Sequence, residues 1–353
     1  MIKRIKINEF TAFKNADLKF SPGINIIVGE NGSGKSHLLK LAYTLAKSSY
    51  NSTSIASQSK AIFQHRLAQN LLGIFKPESL GRLTRRKQGI TRAAVSVEFE
   101  KNKNSSYEFS FSTKSEVEVK LESEYPASYA PAMPIFIPTK ELLTLFPGLR
   151  SILKDYELGI DDTYPDLCDS LDRPILRGPR LESIKNVLEP IENIIGGEIK
   201  KENGRFYLYQ SQGGRLEIDL VAEGFRKLST LAFLLKNGSL TNETSLIWDE
   251  PEANLNPILI KRLAEMLMKL ANQNFQIIIA THSLFLLKEI HILSTTYPKA
   301  KPRYFGIYQN EMGEQEVSTE NNLEFLNNIT SLEAELEQSD RFSETLAESY
   351  ANI

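Results

Sequence analysis

The sequence predicts an α/β fold whose core is a mostly parallel sheet covered on both faces. Three observations lead there. Helix and strand signals alternate over residues 221–280, and a strand, loop and helix follow in that order over residues 24–45. The candidate core strands, 24–28, 245–248 and 276–280, are short and almost wholly apolar, as parallel strands buried on both faces are. The first of them runs directly into Gly29-Glu30-Asn31-Gly32-Ser33-Gly34-Lys35-Ser36, after which Leu38, Leu39, Leu41, Ala42 and Leu45 repeat at helical spacing.

Around this core the pattern changes character. Residues 2–7 and 16–20 alternate charge and apolarity, and Pro22-Gly23 marks the turn before the core strand. Residues 48–59 are polar and Ser-rich, 61–75 are helix-like, and alternation returns at 93–99, 107–111 and 117–121, predicting an antiparallel meander. A short buried strand is expected within 134–138, with a helix opening at Thr139-Lys140-Glu141. Residues 146–190 are loop-rich and then helical. Residues 191–220 hold two or three strands separated by Asn203-Gly204 and Gly213-Gly214. Helices are expected at 221–235 and 258–270. The organisation that follows is an N-terminal section over 1–145 and an inserted α+β lobe over 146–220. A C-terminal section over 221–320 completes the core, and 321–353 form an acidic helical tail with a thin stripe of Phe342, Leu346 and Tyr350. No internal repeat or long heptad array is present.

Composition narrows the function classes. With 353 residues and 41% hydrophobic content the chain can bury a full core and an added lobe. The net charge of -2, from 42 basic and 44 acidic residues, encodes no global attraction to nucleic acid or membrane. One cysteine, Cys168, and four histidines exclude an internal disulfide and a thiolate metal cluster, which fits a reducing, cytoplasmic setting. No apolar run approaches the roughly 18 residues needed to span a bilayer, so a chain without a membrane segment is expected.

The chemistry sits in three motifs. Gly29, Gly34, Lys35 and Ser36 complete the pattern G-x-x-x-x-G-K-[ST]. Its glycines let successive backbone N–H groups of Asn31, Gly32, Ser33, Gly34 and the helix start at Lys35, Ser36 and His37 turn toward phosphate oxygens. Lys35 is expected on the β- and γ-phosphates of ATP, and the Ser36 hydroxyl on Mg²⁺. The second motif, Leu246-Ile247-Trp248-Asp249-Glu250-Pro251, ends an apolar strand in two carboxylates. Asp249 is placed for Mg²⁺, and Glu250 for activating the attacking water. The third, Ile277-Ile278-Ile279-Ala280-Thr281-His282-Ser283, ends another buried strand in a histidine. A lone histidine at a strand end is more often structural. Here its position one helix after the paired carboxylates favours a γ-phosphate contact that orients water.

Together these segments resemble the ABC-type ATPase heads of RecF-like, SMC-like and OLD-family proteins, an AAA-like ATP-binding group. The resemblance rests on Gly29 to Ser36, on Asp249-Glu250-Pro251-Glu252-Ala253-Asn254-Leu255-Asn256-Pro257, on Thr281-His282-Ser283 and on the opening Asn8-Glu9-Phe10-Thr11-Ala12-Phe13. It implies a P-loop NTPase fold and two heads that sandwich two ATP molecules, hence a homodimer or higher oligomer. It also implies a signature segment reaching the partner's γ-phosphate. Val221-Ala222-Glu223-Gly224-Phe225-Arg226-Lys227 is similar to that segment, with Ala222 where the family has a phosphate-contacting serine. Glu223, Gly224 and Arg226 are therefore candidate nucleotide contacts, with Arg226 or Lys227 supplying charge in place of the serine.

Lys140 and Glu141 occupy a position equivalent to the family's Q-loop, or are simply solvated charges at a helix start. Phe10 or Phe13 stacks on adenine, or both pack in the core. The cluster Arg82, Arg85, Arg86, Lys87 and Arg92 is either a nucleic-acid grip or a solvated basic loop. The resemblance further implies a TOPRIM nuclease in OLD relatives, for which too few residues follow the last core strand. The expectation is therefore an ATPase whose head closure regulates a separate effector, with bacterial anti-phage defence ahead of genome maintenance. A transporter subunit is disfavoured by the absence of Leu-Ser-Gly-Gly-Gln.

Overall fold

The computed structural model describes residues 1–50, 59–100, 106–124, 132–155, 159–182, 184–326 and 330–351. Part of the Ser-rich stretch, 51–58, lies outside them, as do the side chains of Leu346 and Tyr350 in the tail helix Thr330–Ala351.

One 11-stranded mixed sheet organises the chain. Its parallel part runs, from the edge inward, through Ile135–Ile137, Ser245–Asp249, Gln276–Thr281, Ile24–Gly29 and Arg303–Gln309. Gln315–Glu320 folds back on the last of these as a hairpin and touches Phe13–Lys19 through a single Gln315 to Phe13 bridge. From there the sheet is antiparallel, through Ile2–Phe10, Arg92–Phe99, Tyr107–Ser112 and Lys120–Leu121. The meander expected at 117–121 is reduced to that final two-residue strand, because the chain beyond Ser112 first makes a turn in which Ser115 N–H donates to the Ser112 carbonyl.

Alternation along the core strands sends side chains to two separate cores. Ile24, Ile26, Val28, Leu246, Trp248, Ile277 and Ile279 face one side. There they meet the helices Thr163–Asp172, Lys185–Ile195, Glu223–Lys236, Pro257–Asn272 and Leu284–Ser294. Ile27, Ile247, Ile278 and Ala280 face the other, with the helices Lys35–Ser49 and Lys60–Phe75 and the antiparallel strands. Near-continuous apolar strands are what two buried faces demand.

Within 146–220 the chain forms helices and a separate three-stranded sheet, Gly197–Glu202, Arg205–Gln210 and Arg215–Glu217. Asn203 and Gly204, both at positive φ, make the two-residue hairpin between the first two strands. Phe206 stacks edge-on against Phe146 and Phe233, at 5.1 and 5.0 Å between ring centres, and so ties this sheet to the helix Glu223–Lys236. The helix expected at Thr139-Lys140-Glu141 instead begins at Phe146. The Glu141 carboxylate accepts from Leu143 N–H and from the Thr144 hydroxyl, which holds residues 141–144 in a non-helical turn.

Gln276, fully buried, joins the two halves of the sheet. Its Oε1 accepts from Ile2 N–H and from the Ser245 hydroxyl, both at 2.9 Å. Its Nε2 donates to the carbonyls of Ile2 at 2.7 Å and Ser21 at 3.2 Å. Gln276→Leu strands several buried polar groups, so it should destabilise the fold by about 2–4 kcal/mol in urea unfolding. A midpoint unchanged from the parent would refute this role.

Candidate functional site

The strand Ile24–Gly29 delivers the chain to the phosphate-loop sequence at the edge of the sheet where the parallel strands end. Gly32 and Gly34 both adopt the left-handed region, at φ of 80° and 103°. At Gly34 a Cβ would also lie 2.9 Å from the Phe13 ring, so the position requires glycine on two counts. The helix begins immediately, at Lys35, and its first-turn N–H groups at Lys35, Ser36 and His37 have no acceptor within the helix. They and the positive end of the helix dipole face the loop. The buried Ser33 hydroxyl has no hydrogen-bond partner among the described residues.

Lys35 is buried, and its Nζ donates to the carbonyls of Gly29 and Glu30, each at 2.8 Å. Burial pushes its ammonium below the ordinary lysine range, while the Glu250 and Asp249 carboxylates push it back. The side chain is thus folded over the loop, with negative charge already close by. His37 contributes differently. Its ring turns aside toward Phe75, 5.9 Å between centres, leaving only its backbone amide for a phosphate.

The Ser36 hydroxyl donates to Asp249 Oδ2 at 2.7 Å, bringing the ends of two motifs 213 residues apart into contact. Burial raises the Asp249 pKa, and the neighbouring Glu250 charge adds to this, against the lowering effect of the Ser36 hydrogen bond and Lys35. A hydroxyl and a carboxylate side by side are hard oxygen donors of the kind Mg²⁺ selects, with remaining positions for water and phosphate. No group of three or more His, Cys, Asp or Glu among the described residues forms an all-protein metal cage.

Glu250 has a positive φ of 47° and its N–H donates to the Ala280 carbonyl at 3.0 Å. This turn swings the side chain toward the neighbouring strand end, where Glu250 Oε1 lies 3.3 Å from His282 Nδ1. His282 is half exposed, so the pair opens to solvent beside the loop. Lys35, Ser36, Asp249, Glu250 and His282 therefore converge as the motifs require.

The signature-like residues lie elsewhere in the chain's own contacts. No hydrogen bond or ion pair among the described residues links Glu223, Gly224 or Arg226 to the phosphate loop. Glu223 accepts from Asn254 Nδ2 at 2.9 Å, and Gly224 is pressed against Leu255. Arg226 donates to Glu141 at 3.0 Å and to the Val221 carbonyl at 2.7 Å, and Lys227 donates to the Ala253 carbonyl at 2.8 Å. Both cations expected to stand in for the missing serine hydroxyl are thus committed within the chain. What this helix start presents is Ala222, exposed, and the amides behind it. Glu141 is accordingly an internal anchor in this conformation. Phe10 and Phe13 are both fully buried in the core, so neither offers a face to adenine.

Four of the five cations of the basic cluster pair with carboxylates. Arg82 pairs with Glu78, Arg85 with Glu9 and Glu314, Lys87 with Glu9, and Arg92 with Glu122, while Arg86 is exposed.

Sequence reasoning missed two sets of neighbours. Tyr308, Gln309 and Gln315 line a cavity of about 440 Å³ against residues 30–33. Their strands carry no motif, and their place beside the loop follows only from sheet pairing. The second set docks on the helix Lys35–Ser49. Along one stripe of it Lys40 pairs with Asp161 at 2.7 Å, while Tyr43 at 2.9 Å and Lys47 at 2.5 Å both reach Asp166. Spacing from Ser36 at i+4, i+7 and i+11 was a readable signal, but the carboxylates lie more than 110 residues away.

Comparison with known proteins places this geometry. The RecF/RecN/SMC N-terminal domain matches residues 1–302. The chain belongs to that family. Its site is thus that of an ABC-type ATPase head of the RecF/SMC kind, and its sheet is the SMC head fold. An SMC head solved with the C-terminal winged-helix domain of ScpA superposes with a TM-score of 0.53 at 15% identity, covering 92% of this chain and 98% of that one. The Pyrococcus furiosus SMC head with an extended coiled coil, bound to the C-terminal domain of ScpA, gives 0.53 at 12% identity, covering 97% and 99%. At such identities the likeness is one of fold. The DNA replication and repair protein RecF of Salmonella typhi is 35% identical over 99 residues, 27% of this chain and 27% of RecF. The RecF of Salmonella paratyphi B aligns over the same lengths with the same identity. The aligned segment thus spans about a quarter of these curated relatives.

Gly34→Ala should weaken nucleotide binding by about tenfold or more, through strain of about 1–3 kcal/mol at the positive φ and the clash with Phe13. Titration with a fluorescent ATP analogue measures it, and affinity equal to the parent would contradict the loop geometry.

Proposed function

We propose that this chain binds Mg²⁺–ATP and hydrolyses it, and that two copies close on two nucleotides. The observation that carries this reading is the convergence of Ser36 on Asp249 at 2.7 Å with that of Glu250 on His282 at 3.3 Å, beside a loop that already holds Lys35. The amides of Asn31 to His37 and the Lys35 ammonium bind the phosphates. Ser36 and Asp249 hold Mg²⁺, which when bound screens phosphate charge. Glu250 takes the proton of the attacking water, and His282 orients that water against the γ-phosphate. The exposed start of the helix Glu223–Lys236, held in place by Asn254 and Glu141, suits a surface offered to the other copy's nucleotide through backbone amides.

Head closure in turn acts on a separate partner protein. Support comes from SMC heads having been solved with ScpA domains seated on them. An anti-phage setting rests on the OLD-like resemblance alone. A second reading, action on DNA, is favoured by the segment shared with RecF, and disfavoured by the carboxylates paired with four of the five cations in the basic cluster. Among the described residues no helix is long and apolar enough to cross a membrane.

Lys35→Ala should reduce ATP affinity at least tenfold. Glu250→Gln should keep ATP binding, lower turnover at least a hundredfold and raise the ATP-dependent dimer fraction in analytical ultracentrifugation. Turnover at the parental rate would remove Glu250 as the base. Ser36→Ala should raise the Mg²⁺ concentration for half-maximal turnover about tenfold, read from a metal titration after chelation. Duplex DNA should leave the parental ATPase rate within about twofold, and a large stimulation lost in Arg86→Ala would favour the second reading.

A further inference from the structure

Glu252 is a carboxylate that no step of the proposed reaction uses, yet it is buried at 6% exposure between the two catalytic candidates. It follows Glu250 by two residues, in the turn that leaves the strand Ser245–Asp249. Its Oε1 accepts a hydrogen bond from the Thr281 hydroxyl, and Thr281 immediately precedes His282. The same hydroxyl oxygen accepts from Ser283 N–H at 3.0 Å, on the other side of His282. Ser283 then caps the next helix by accepting from Leu286 N–H at 3.2 Å. Glu252 Oε2 is buried without a hydrogen-bond partner among the described residues.

A buried carboxyl oxygen left without a hydrogen bond costs stability, and more when the group is charged. Apolar packing of the same turn would avoid that cost, so the contact to Thr281 needs another explanation. Burial raises the Glu252 pKa, against the lowering effect of its hydrogen bond from Thr281.

We propose that Glu252 is a positioning residue for hydrolysis: through Thr281 it clamps the turn bearing Glu250 to the strand end bearing His282, so that base and histidine keep one geometry. The inference rests on the hydrolytic reading of Glu250 and His282. The main-chain bond from Glu250 N–H to the Ala280 carbonyl fixes the backbones, and the Glu252–Thr281 contact fixes the direction in which the following residue projects. Displacement by about 1 Å at such a site is enough to cost about two orders of magnitude in rate while substrate binding is retained.

The test is a kinetic comparison of full-length variants with Mg²⁺–ATP. Thr281→Val keeps the volume but removes the hydroxyl. It should lower kcat about tenfold or more with the ATP dissociation constant within about twofold of the parent, and Thr281→Ser should restore kcat. Glu252→Gln, whose amide oxygen can still accept, should stay within about threefold of the parental kcat, whereas Glu252→Leu should match Thr281→Val. In a His282→Ala background Thr281→Val should cost clearly less than it does in the parent, because part of its effect runs through the histidine. With only four histidines in the chain, the His282 imidazole NMR signal should shift or broaden in Thr281→Val. Parental kcat in Thr281→Val, an equal loss of ATP affinity, or a full additional loss in the His282→Ala background would each overturn the clamp. Should Thr281→Val not fold, equal turnover of Glu252→Gln and Glu252→Leu overturns it instead. Glu250→Gln separates the two levels: parental turnover there refutes the hydrolytic reading, whereas an inactive Glu250→Gln beside an unaffected Thr281→Val refutes only the clamp.

Discussion

The site depends on the register of the parallel strands. Asp249, Ala280, Ile27 and Phe305 lie in one row across four neighbouring strands. From that row the chain needs only one to three further residues to reach Glu250, His282 and the phosphate loop. Slipping any of these strands by one residue would turn its side chains to the opposite face and separate the motifs. The apolar alternation between two cores resists such a slip, since Ile26 and Val28 would exchange places with Ile27. Packing in the interior thereby sets distances at the surface.

The antiparallel half supports this arrangement from outside. Phe13, on the second strand, presses its ring on Gly34, while Gln276 fastens the first strand to the start of the strand that ends at Thr281. Both ends of the core strands are therefore buttressed by the N-terminal segment. The phosphate loop is held between a buried strand, a helix start and an aromatic wall.

Much of this was legible in the sequence, for identifiable reasons. Motifs at strand ends declare themselves because glycine, lysine, paired carboxylates and histidine follow apolar runs. Asn203-Gly204 likewise predicted its hairpin through the positive φ both residues adopt. What could not be read was set by contacts distant in sequence. Glu141 ends up anchoring Arg226 from 85 residues away, a contact no local pattern announced. Phe10 and Phe13 could have served adenine or the core, and only the fold shows them enclosed. Charge clustering in the segment from Arg82 to Arg92 overstated the exposed positive charge, because its acidic partners come from residues 9, 122 and 314 as well as from nearby Glu78.

The stripe of Ser36, Lys40, Tyr43 and Lys47 gives the helix behind the phosphate loop an unusual mechanical position. At one end it is tied to Asp249, and along the next three turns to Asp161 and Asp166. A rod pinned at several points along one edge resists pivoting about either end. The helix Lys35–Ser49 is therefore braced along one edge by carboxylates from three distant points of the chain, so that the residue beginning the Mg²⁺ side of the site and the helix Thr163–Asp172 share one fifteen-residue support.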